Sequence, residues 1–268
     1  MGKFDNKVVI ITGSSAGIGQ SAAILFSKEG AKVTIHGQNT DRLKQTEQLM
    51  IEAGAKPENI LIVSGSVEND EVLKNLVEET VKKFGKLDVL INNAGIGQKP
   101  GTPPSEMDSM ENFNYVMNVN LRAVITLTKL ALPYLEKTKG NIVNVSSIGA
   151  HKPFPAMLYY TLAKAALDHY TRNCAVMYGK KGIRVNCLNP GAIDTLFGAR
   201  HGVTEEMHQK FLDNLVNPNT PLGRSAHPDE MGKILLFLAS DDASYMTGSI
   251  VVADGGNSIF HAGVNLEF

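Results

Sequence analysis

The sequence predicts an α/β fold in which a doubly wound parallel β-sheet forms a single domain of residues 1–268. Short, β-branched apolar runs alternate strictly with segments of helical periodicity. Parallel strands follow from this alternation, because right-handed crossovers place the helices on the two faces of the sheet. The chain has no shift in composition and no Pro- or Ser-rich linker, which predicts one domain rather than two.

Each predicted element rests on its own pattern. Unbroken apolar runs are typical of strands that are buried on both faces. The predicted strands are Val8–Thr12, Val33–His36, Ile60–Ser64, Val89–Asn92, Asn141–Val145, Arg184–Leu188 and Ile250–Ala253. Apolar residues at helical spacing predict the helices, and glycines placed after them predict where several end. The predicted helices run from about Ile18 toward Gly30, then over Asp41–Ala53, Glu68–Phe84, Ser109–Lys137, Tyr159–Tyr178 and Pro228–Ala239.

Composition and charge narrow the function classes. The chain carries 26 Lys and Arg against 27 Asp and Glu, and it has no basic run long enough to follow a nucleic-acid backbone. Its apolar runs are far shorter than a membrane span, and the N-terminus leads almost directly into the first strand, which argues against a signal peptide. We therefore expect a cytoplasmic protein that binds neither nucleic acid nor membrane. Cys174 and Cys187 lie in apolar stretches and are expected to be buried thiols.

A tyrosine and a lysine give the first chemical signal. Of the seven tyrosines, only Tyr160 has a lysine four residues further on, at Lys164, so a helix would present both on one face. A nearby cation favours the charged phenolate, and we expect Lys164 to lower the pKa of Tyr160 from about 10. Such a tyrosine can transfer a proton in carbonyl reduction or alcohol oxidation. The alternative, a chance pair on a solvated helix, loses weight beside the other motifs in the chain: Asn92-Asn93-Ala94-Gly95, Ser146-Ser147 and Asn189-Pro190-Gly191.

The turn Thr12–Gly19 joins the first predicted strand to the first helix, and its glycines have the spacing Gly-x-x-x-Gly-x-Gly. Glycines at such a turn allow a pyrophosphate to approach the backbone, and the free N–H groups at the helix start bind the anion. The alternative is a turn that only lets helix and sheet pack. Its position at the very start of a strand–helix array favours nucleotide binding and a fold of the Rossmann type.

The residues after the second strand bear on the choice of nucleotide. A carboxylate there would bind the ribose hydroxyls of NAD and repel the 2′-phosphate of NADP. The sequence His36-Gly37-Gln38-Asn39 has no acid, which favours NADP(H) without excluding NAD(H). Arg42 is the nearest arginine, and it is either a phosphate partner or a solvated helix residue.

Taken together, these motifs resemble those of the classical short-chain dehydrogenase/reductase family, from Val8 to about Asn257. The resemblance implies that Tyr160 is the catalytic acid/base, that Lys164 assists it and holds the nicotinamide ribose, and that Ser147 polarises the carbonyl. Ser147 is preferred over Ser146 because it precedes the tyrosine by thirteen positions. Asn120 resembles the family residue that interrupts a helix and positions a water next to the lysine.

The resemblance, with the phosphate-binding turn, also implies a set of cofactor contacts. This sequence departs from the family pattern at two positions. They are Ser66, where family members often have an acid that contacts adenine, and Gln38, where NADP-preferring members often carry Arg. The expected contacts are Thr12, Gly13, Ser15, Gly17, Ile18, Gly19, Gly37, Gln38, Asn39, Ser66, Val67, Asn93, Ala94, Gly95, Tyr160, Lys164, Pro190, Gly191, Ile193 and Thr195.

The segment Leu196–Pro221 is long for a connection, which favours a lid over the substrate. The expected substrate contacts are Ser147, His151, Phe154, Tyr160, Leu196 and Phe197, a largely apolar set that favours a medium-sized hydrophobic ketone or alcohol, although several could simply pack beneath the lid. His201, Glu205 and His208 can share a helix face, but we interpret them as a polar lid surface and expect no metal.

Two further expectations concern assembly and class. The predicted helices Ser109–Lys137 and Tyr159–Tyr178 carry more apolar residues than one sheet face needs, and members of the resembled family commonly pair through these helices, which predicts a homo-oligomer, most simply a tetramer. The rival function is a catalytically silent nucleotide-binding regulator of the same fold. That class should show a broken set of catalytic residues, whereas all four positions are filled here.

Overall fold

Seven parallel strands form one sheet in the computed structural model, which describes residues 2–195, 197 and 204–260. The spatial order is β3-β2-β1-β4-β5-β6-β7. The strands are β1 (Val8–Ile11), β2 (Lys32–Gly37), β3 (Ile60–Ser64), β4 (Val89–Asn92), β5 (Asn141–Val145), β6 (Arg184–Pro190) and β7 (Ile250–Ala253). The doubly wound α/β fold is therefore confirmed, and four strands have the bounds predicted from the sequence.

Helices connect successive strands and cover both faces of the sheet. They are α1 (Gly17–Lys28), α2 (Thr40–Glu52), α3 (Asp70–Phe84), α4 (Met110–Met117), α5 (Ala123–Thr138), α6 (Leu158–Gly179), α7 (Glu205–Phe211) and α8 (Pro228–Ala239). The predicted long helix Ser109–Lys137 is divided by a π-helical segment, Asn118–Arg122, between α4 and α5. This interruption places Asn120 at a break in the regular helix.

Two apolar clusters bury the two faces of the sheet. One packs α1, α2 and α8 against residues such as Val9, Ile11 and Val33. The other packs α3, α5 and α6 against residues such as Ile10 and Leu90. Since consecutive strand residues point to opposite faces, Ile10 and Ile11 serve different clusters, which explains the continuous apolar run of β1. Cys174 and Cys187 are both buried and free, as expected.

The strand order reverses between β1 and β4, because β2 lies on one side of β1 and β4 on the other. Open parallel sheets bind ligands at such a reversal, in the crevice beyond the carboxyl ends of the strands. β1 ends at Ile11, one residue before the predicted end, because Thr12 begins the turn into this crevice. In the part of the chain that is described, no helix is both long and apolar enough to cross a membrane.

Candidate active site

The turn after β1 forms a glycine cradle at Gly13, Gly17 and Gly19, three positions that have no room for a larger side chain. Gly13 and Gly17 have φ angles of 67° and 61°, in the left-handed region that glycine tolerates. A Cβ at Gly19 would lie 2.5 Å from Asn93 Nδ2 and 2.6 Å from the Gly13 carbonyl oxygen. Gly19 therefore lets the start of α1 approach Asn93 and the backbone of Gly13 closely. Ile18, in the first turn of α1, packs against the core behind it.

Ser14 fastens this turn to the second strand. Its backbone N–H donates to the His36 carbonyl oxygen at 2.8 Å, and its Oγ accepts from the His36 N–H at 2.8 Å. The hydroxyl also donates to the Ile11 carbonyl oxygen at 2.9 Å. Sequence analysis did not identify Ser14. Its signal was available, because a small hydroxyl residue inside a tight turn commonly bonds to neighbouring backbone groups.

The carboxyl ends of β1 and β4 are joined by side chains. Thr12 Oγ1 accepts from the backbone N–H groups of Asn93 and Ala94, each at 3.0 Å. Asn93 Nδ2 donates in return to the carbonyl oxygens of Thr12 and Gly13 at 2.8 and 3.1 Å. The predicted contact residues Thr12, Asn93 and Ala94 thus position the cradle, and their side-chain and backbone polar groups are largely used for that purpose.

The end of β2 borders the same crevice. Gly37 is buried, and a Cβ there would lie 2.9 Å from Ser15 Oγ, so Gly37 lets the second strand and the cradle approach closely. Gln38 and Asn39 are exposed, and Asn39 Oδ1 caps α2 by accepting from the Arg42 N–H at 2.9 Å. Among the described residues, the Arg42 guanidinium has no ion-pair partner.

Ser66 and Val67 lie just beyond the end of β3. Val67 is buried, and Ser66 Oγ accepts from the Glu68 N–H at 3.3 Å while lying 3.4 Å from the Glu68 carboxylate. Burial, with the Glu68 carboxylate, raises the pKa of Tyr115 on the neighbouring helix. The acid in this turn is thus Glu68, two residues beyond Ser66.

Helix α6 brings Tyr160 and Lys164 to the carboxyl ends of β4 and β5. The Lys164 ammonium lies 5.6 Å from the centre of the Tyr160 ring and donates to the Val145 carbonyl oxygen at 2.8 Å. A Cβ at Gly95 would lie 2.9 Å from Asn120 Oδ1 and 3.3 Å from Lys164 Nζ. Two segments that are distant in sequence, the π-helical segment and α6, therefore converge on Gly95.

Asn120 is fully buried at the π-helical interruption. Its Oδ1 accepts from the Ile96 N–H at 2.9 Å, and its Nδ2 donates to the Ile96 carbonyl oxygen at 2.8 Å. This pair of bonds ties the helix to the loop after β4. Asn118, the near alternative in the sequence, begins the π-helical segment without this double contact.

The two adjacent serines have different places. Ser146 is buried, and its hydroxyl donates to the Lys164 carbonyl oxygen at 3.1 Å, which fixes β5 against α6. Ser147 Oγ accepts from the Gly149 N–H at 3.0 Å, and its hydroxyl is hydrogen-bonded to the Tyr160 phenol. The structure therefore brings Ser147, and not Ser146, to the tyrosine.

The expected effect of Lys164 on Tyr160 is wrong for this structure. Burial raises the pKa of the Tyr160 phenol, and the hydrogen bond from Ser147 opposes that rise only in part. Lys164 faces the ring rather than the phenol oxygen, which explains why its charge gives the phenolate little support. Burial in turn lowers the pKa of the Lys164 ammonium to about 8. The phenol thus carries its proton at neutral pH.

The segment that follows β6 closes the other side of the crevice. Pro190 pairs with Ala253 of β7, and a Cβ at Gly191 would lie 2.8 Å from Asp254 Cα. Ile193 forms a parallel bridge with Ala226. A Cβ at Gly17 would lie 3.0 Å from Thr195 Cγ2, which places Thr195 directly against the cradle.

Three of the predicted substrate contacts are Phe197, Phe154 and His151. Phe197 packs against the Tyr160 ring, with ring centres 5.9 Å apart, and Phe154, which precedes Tyr160 in the chain, is exposed. His151 is exposed and lies near Asp254, whose pKa is lowered, against the opposing effect of burial, mainly by hydrogen bonds from Ser258 and Gly256. Leu196, the remaining predicted contact, lies outside the described residues.

Beyond these contacts, three hydrogen bonds tie the surrounding loops together. Lys152 donates to the carbonyl and Oδ1 oxygens of Asn257, both at 2.9 Å, and Asn257 Nδ2 donates to the Asn219 carbonyl oxygen at 2.8 Å. The His208 ring on α7 lies 3.4 Å from the Asp194 carboxylate. His201 lies outside the described residues. Of the three residues expected to share one helix face, the structure therefore describes Glu205 and His208.

The chain is similar to known oxidoreductases along nearly its whole length. The family model described as enoyl-(acyl carrier protein) reductase matches residues 13–258. A 3-oxoacyl-[acyl-carrier-protein] reductase from Thermotoga maritima is 35% identical over 95% of this chain and 98% of its own. A meso-2,3-butanediol dehydrogenase from Serratia marcescens is 34% identical over 95% of each chain. A crystal structure of a short-chain dehydrogenase/reductase of unknown function from Caenorhabditis elegans, determined with cofactor, is 41% identical with a TM-score of 0.93, covering 97% of this chain and 98% of that one.

Proposed function

Because the chain belongs to the short-chain dehydrogenase/reductase family of oxidoreductases, we propose that it transfers a hydride between a nicotinamide cofactor and a carbonyl or secondary alcohol. The observation that carries this proposal is the convergence of Asn120, Ser147, Tyr160 and Lys164 beside a glycine cradle. A silent nucleotide-binding regulator would not need all four groups. The direct test is oxidation of reduced cofactor by a panel of carbonyl compounds.

The residues present fit a dinucleotide. The cradle at Gly13, Gly17 and Gly19 leaves no room for a Cβ, and the N-terminus of α1 opens onto it, as a pyrophosphate requires. The bound cofactor would supply the hydride. Gly95, Pro190, Gly191, Ile193 and Thr195 would line the nicotinamide half, with Lys164 placed to bind the ribose hydroxyls.

The protein's own part in carbonyl reduction is to hold and deliver one proton. Tyr160 donates its phenolic proton to the substrate oxygen as negative charge grows there, and the raised pKa keeps that proton in place at neutral pH. The Ser147 hydroxyl lies against the phenol and would donate a second hydrogen bond to the same oxygen. Asn120 holds the loop at Ile96 and would position a water that links Lys164 to solvent. Protonated Tyr160 is the form that reduction requires.

We expect a preference for NADPH over NADH. The three residues directly after β2 include no carboxylate. The Arg42 guanidinium, which has no ion-pair partner among the described residues, lies in the first turn of α2. An Asp at Gly37 would also displace Ser15, so the exposed neighbour Gln38 is the cleaner position for a test. Gln38→Asp should weaken NADPH binding about tenfold and Gln38→Arg should strengthen it, measured as dissociation constants by calorimetry. Tighter binding of NADH than of NADPH by the wild type would contradict the preference.

We expect residues 196–221 to act as a lid that controls substrate choice. Phe197 already contacts the Tyr160 ring. Phe211 on α7 is 47% exposed, so its ring can pack on a substrate when the lid closes. The double variant Phe197→Ala and Phe211→Ala should raise the KM for a hydrophobic ketone about tenfold, because the substrate loses aromatic packing. The NADPH dissociation constant should stay within about twofold of the wild-type value.

The two single variants serve as controls for the lid. Phe197→Ala alone should account for most of the change in KM, since Phe197 is the residue that packs on the catalytic tyrosine. A double variant that loses cofactor affinity while its carbonyl preferences stay the same would place the segment in the nucleotide site and refute the lid.

We further propose a homotetramer in the cytoplasm. Helix α6 exposes an apolar set on its outer side: Leu158, Leu162, Val176 and Met177. A two-fold pairing of this helix with its copy would bury the set. The free thiols of Cys174 and Cys187 suit a reducing compartment. Sedimentation should show a species of about four times 28.9 kDa, and Leu162→Asp with Val176→Asp should dissociate it. A wild type that sediments only near 28.9 kDa at micromolar concentration would contradict the assembly.

A further inference from the structure

A buried acid on α6 has no part in the chemistry described so far. Asp168 lies four residues beyond Lys164, and its side chain is almost completely buried, with 7% of the residue exposed. Tyr160, Lys164 and Asp168 therefore follow one another at single-turn spacing along one helix face. Acids are rarely buried unless they are paired, so the partners of Asp168 indicate its purpose.

Two partners of Asp168 lie on β6. Asn189 Nδ2 donates to one carboxylate oxygen at 2.8 Å, and the Cys187 thiol contacts the other at 3.6 Å. The same thiol lies 3.3 Å from Asn189 Oδ1, so the three side chains form one buried cluster. Asn189 directly precedes Pro190 and Gly191. The cluster therefore ties the helix that carries Tyr160 and Lys164 to the strand end that leads to the nicotinamide side of the crevice.

The third partner is Lys164 itself, through charge. Burial lowers the pKa of the Lys164 ammonium, and a thiolate at Cys187 and the carboxylate of Asp168 would each oppose that effect. Two other titratable groups face Lys164. Burial raises the pKa of the Cys187 thiol and that of the Tyr160 phenol, so both are neutral near pH 7. Within the described part of the chain, Asp168 is therefore the carboxylate that lies one helical turn from this ammonium.

We propose that Asp168 is a positioning residue that keeps Lys164 in its ammonium form and holds α6 against the carboxyl end of β6. The inference rests on the role proposed above for Lys164. It assigns the buried carboxylate a function in setting the upper pH limit of the reaction. Without that charge, Lys164 would keep its place and its bond to Val145, but it would lose its proton at a lower pH.

The variant Asp168→Asn tests the charge with little change of shape. Lys164 has a pKa of about 8, so its ammonium is present below that pH and is lost above it. Removing Asp168 lowers this pKa further, and we expect the alkaline midpoint of kcat/KM to fall by about one pH unit. The alkaline midpoint of NADPH affinity should fall in parallel. Turnover near pH 6 should stay within about threefold of wild type, because the lysine remains protonated there.

Cys187→Ala is the matched control. It removes one contact of Asp168 and leaves a small gap in the same cluster, but it removes no charge, because the thiol is neutral. Its alkaline midpoint should stay within about 0.2 units of wild type even if its melting temperature falls. A purely structural Asp168 would behave in the same way, losing stability without moving the midpoint.

The outcomes separate this inference from the proposed function. If the wild type binds and oxidises NADPH but Asp168→Asn keeps the wild-type alkaline midpoint, the role of Asp168 is refuted and the proposed function stands. If the wild type neither binds nor oxidises reduced cofactor, both are overturned. Asp168→Ser, which also removes the charge, carries the same expectation should the asparagine variant fail to fold.

Discussion

Replacing Tyr160 by phenylalanine should reduce turnover about a thousandfold or more while cofactor binding persists. The substituted ring keeps its place under the Lys164 ammonium and beside Phe197, so the surroundings of the cofactor change little. What disappears is the phenolic proton and its hydrogen bond with Ser147. Losing a positioned general acid costs about two to four orders of magnitude in rate. Steady-state kinetics with saturating reduced cofactor measures the loss, and calorimetry measures the dissociation constant.

The adjacent tyrosine provides the control. The Tyr159 hydroxyl donates to the Asp108 carbonyl oxygen, away from Lys164, and its ring packs on Phe113 at 5.2 Å. Tyr159→Phe therefore removes one hydrogen bond from the same helix turn and should leave turnover within about threefold of wild type. A Tyr160→Phe protein that keeps more than about a tenth of wild-type turnover would show that another group delivers the proton.

The substitution Gly19→Ala should abolish tight cofactor binding. The added Cβ would lie 2.5 Å from Asn93 Nδ2 and 2.6 Å from the Gly13 carbonyl oxygen, and the second of these is backbone. Asn93 Nδ2 bonds to the carbonyl oxygens of Thr12 and Gly13, so moving it breaks the link between β1 and β4. Overpacking of this kind costs about 1–3 kcal/mol, and the cradle must deform to relieve it. We expect cofactor affinity to fall at least about a hundredfold.

Gly179→Ala is the matched control for the glycine cradle. Gly179 is also helical, at the end of α6, but a Cβ there would meet nothing within 4 Å. Alanine should therefore leave the cofactor dissociation constant unchanged and raise stability slightly, because it is the better helix former. Equal cofactor affinities for the Gly19→Ala and Gly179→Ala proteins would show that the cradle does not bind the pyrophosphate.

The elements that sequence analysis located most accurately are those whose pattern is local. β3, β4, β5, β7 and α8 have the bounds that apolar runs and capping residues predict. The break at Asn118–Arg122 could not be derived from periodicity, because it depends on the two hydrogen bonds between the Asn120 side chain and the Ile96 backbone, 24 residues away in sequence. Resemblance to a family supplied that expectation, and the geometry agrees with it.

The pKa shift expected for Tyr160 from the sequence was less accurate than the expected positions of the site residues. The spacing of Tyr160 and Lys164 correctly predicts one helix face, but it does not show that the ammonium lies over the ring and bonds to Val145. Burial then decides the sign of the pKa shift. The same four-residue spacing extends to Asp168, whose burial and partners on β6 appear only in the fold.

The most direct test of the proposed function is cofactor oxidation by the purified wild-type protein. NADPH and NADH should be compared side by side against hydrophobic ketones, a 3-oxoacyl thioester and the ketones related to 2,3-butanediol, with Tyr160→Phe protein as the blank. We expect carbonyl-dependent oxidation of NADPH that exceeds that of NADH and that disappears in the variant. Binding of reduced cofactor without turnover of any carbonyl, or equal rates for wild type and Tyr160→Phe, would contradict the assignment as a carbonyl oxidoreductase.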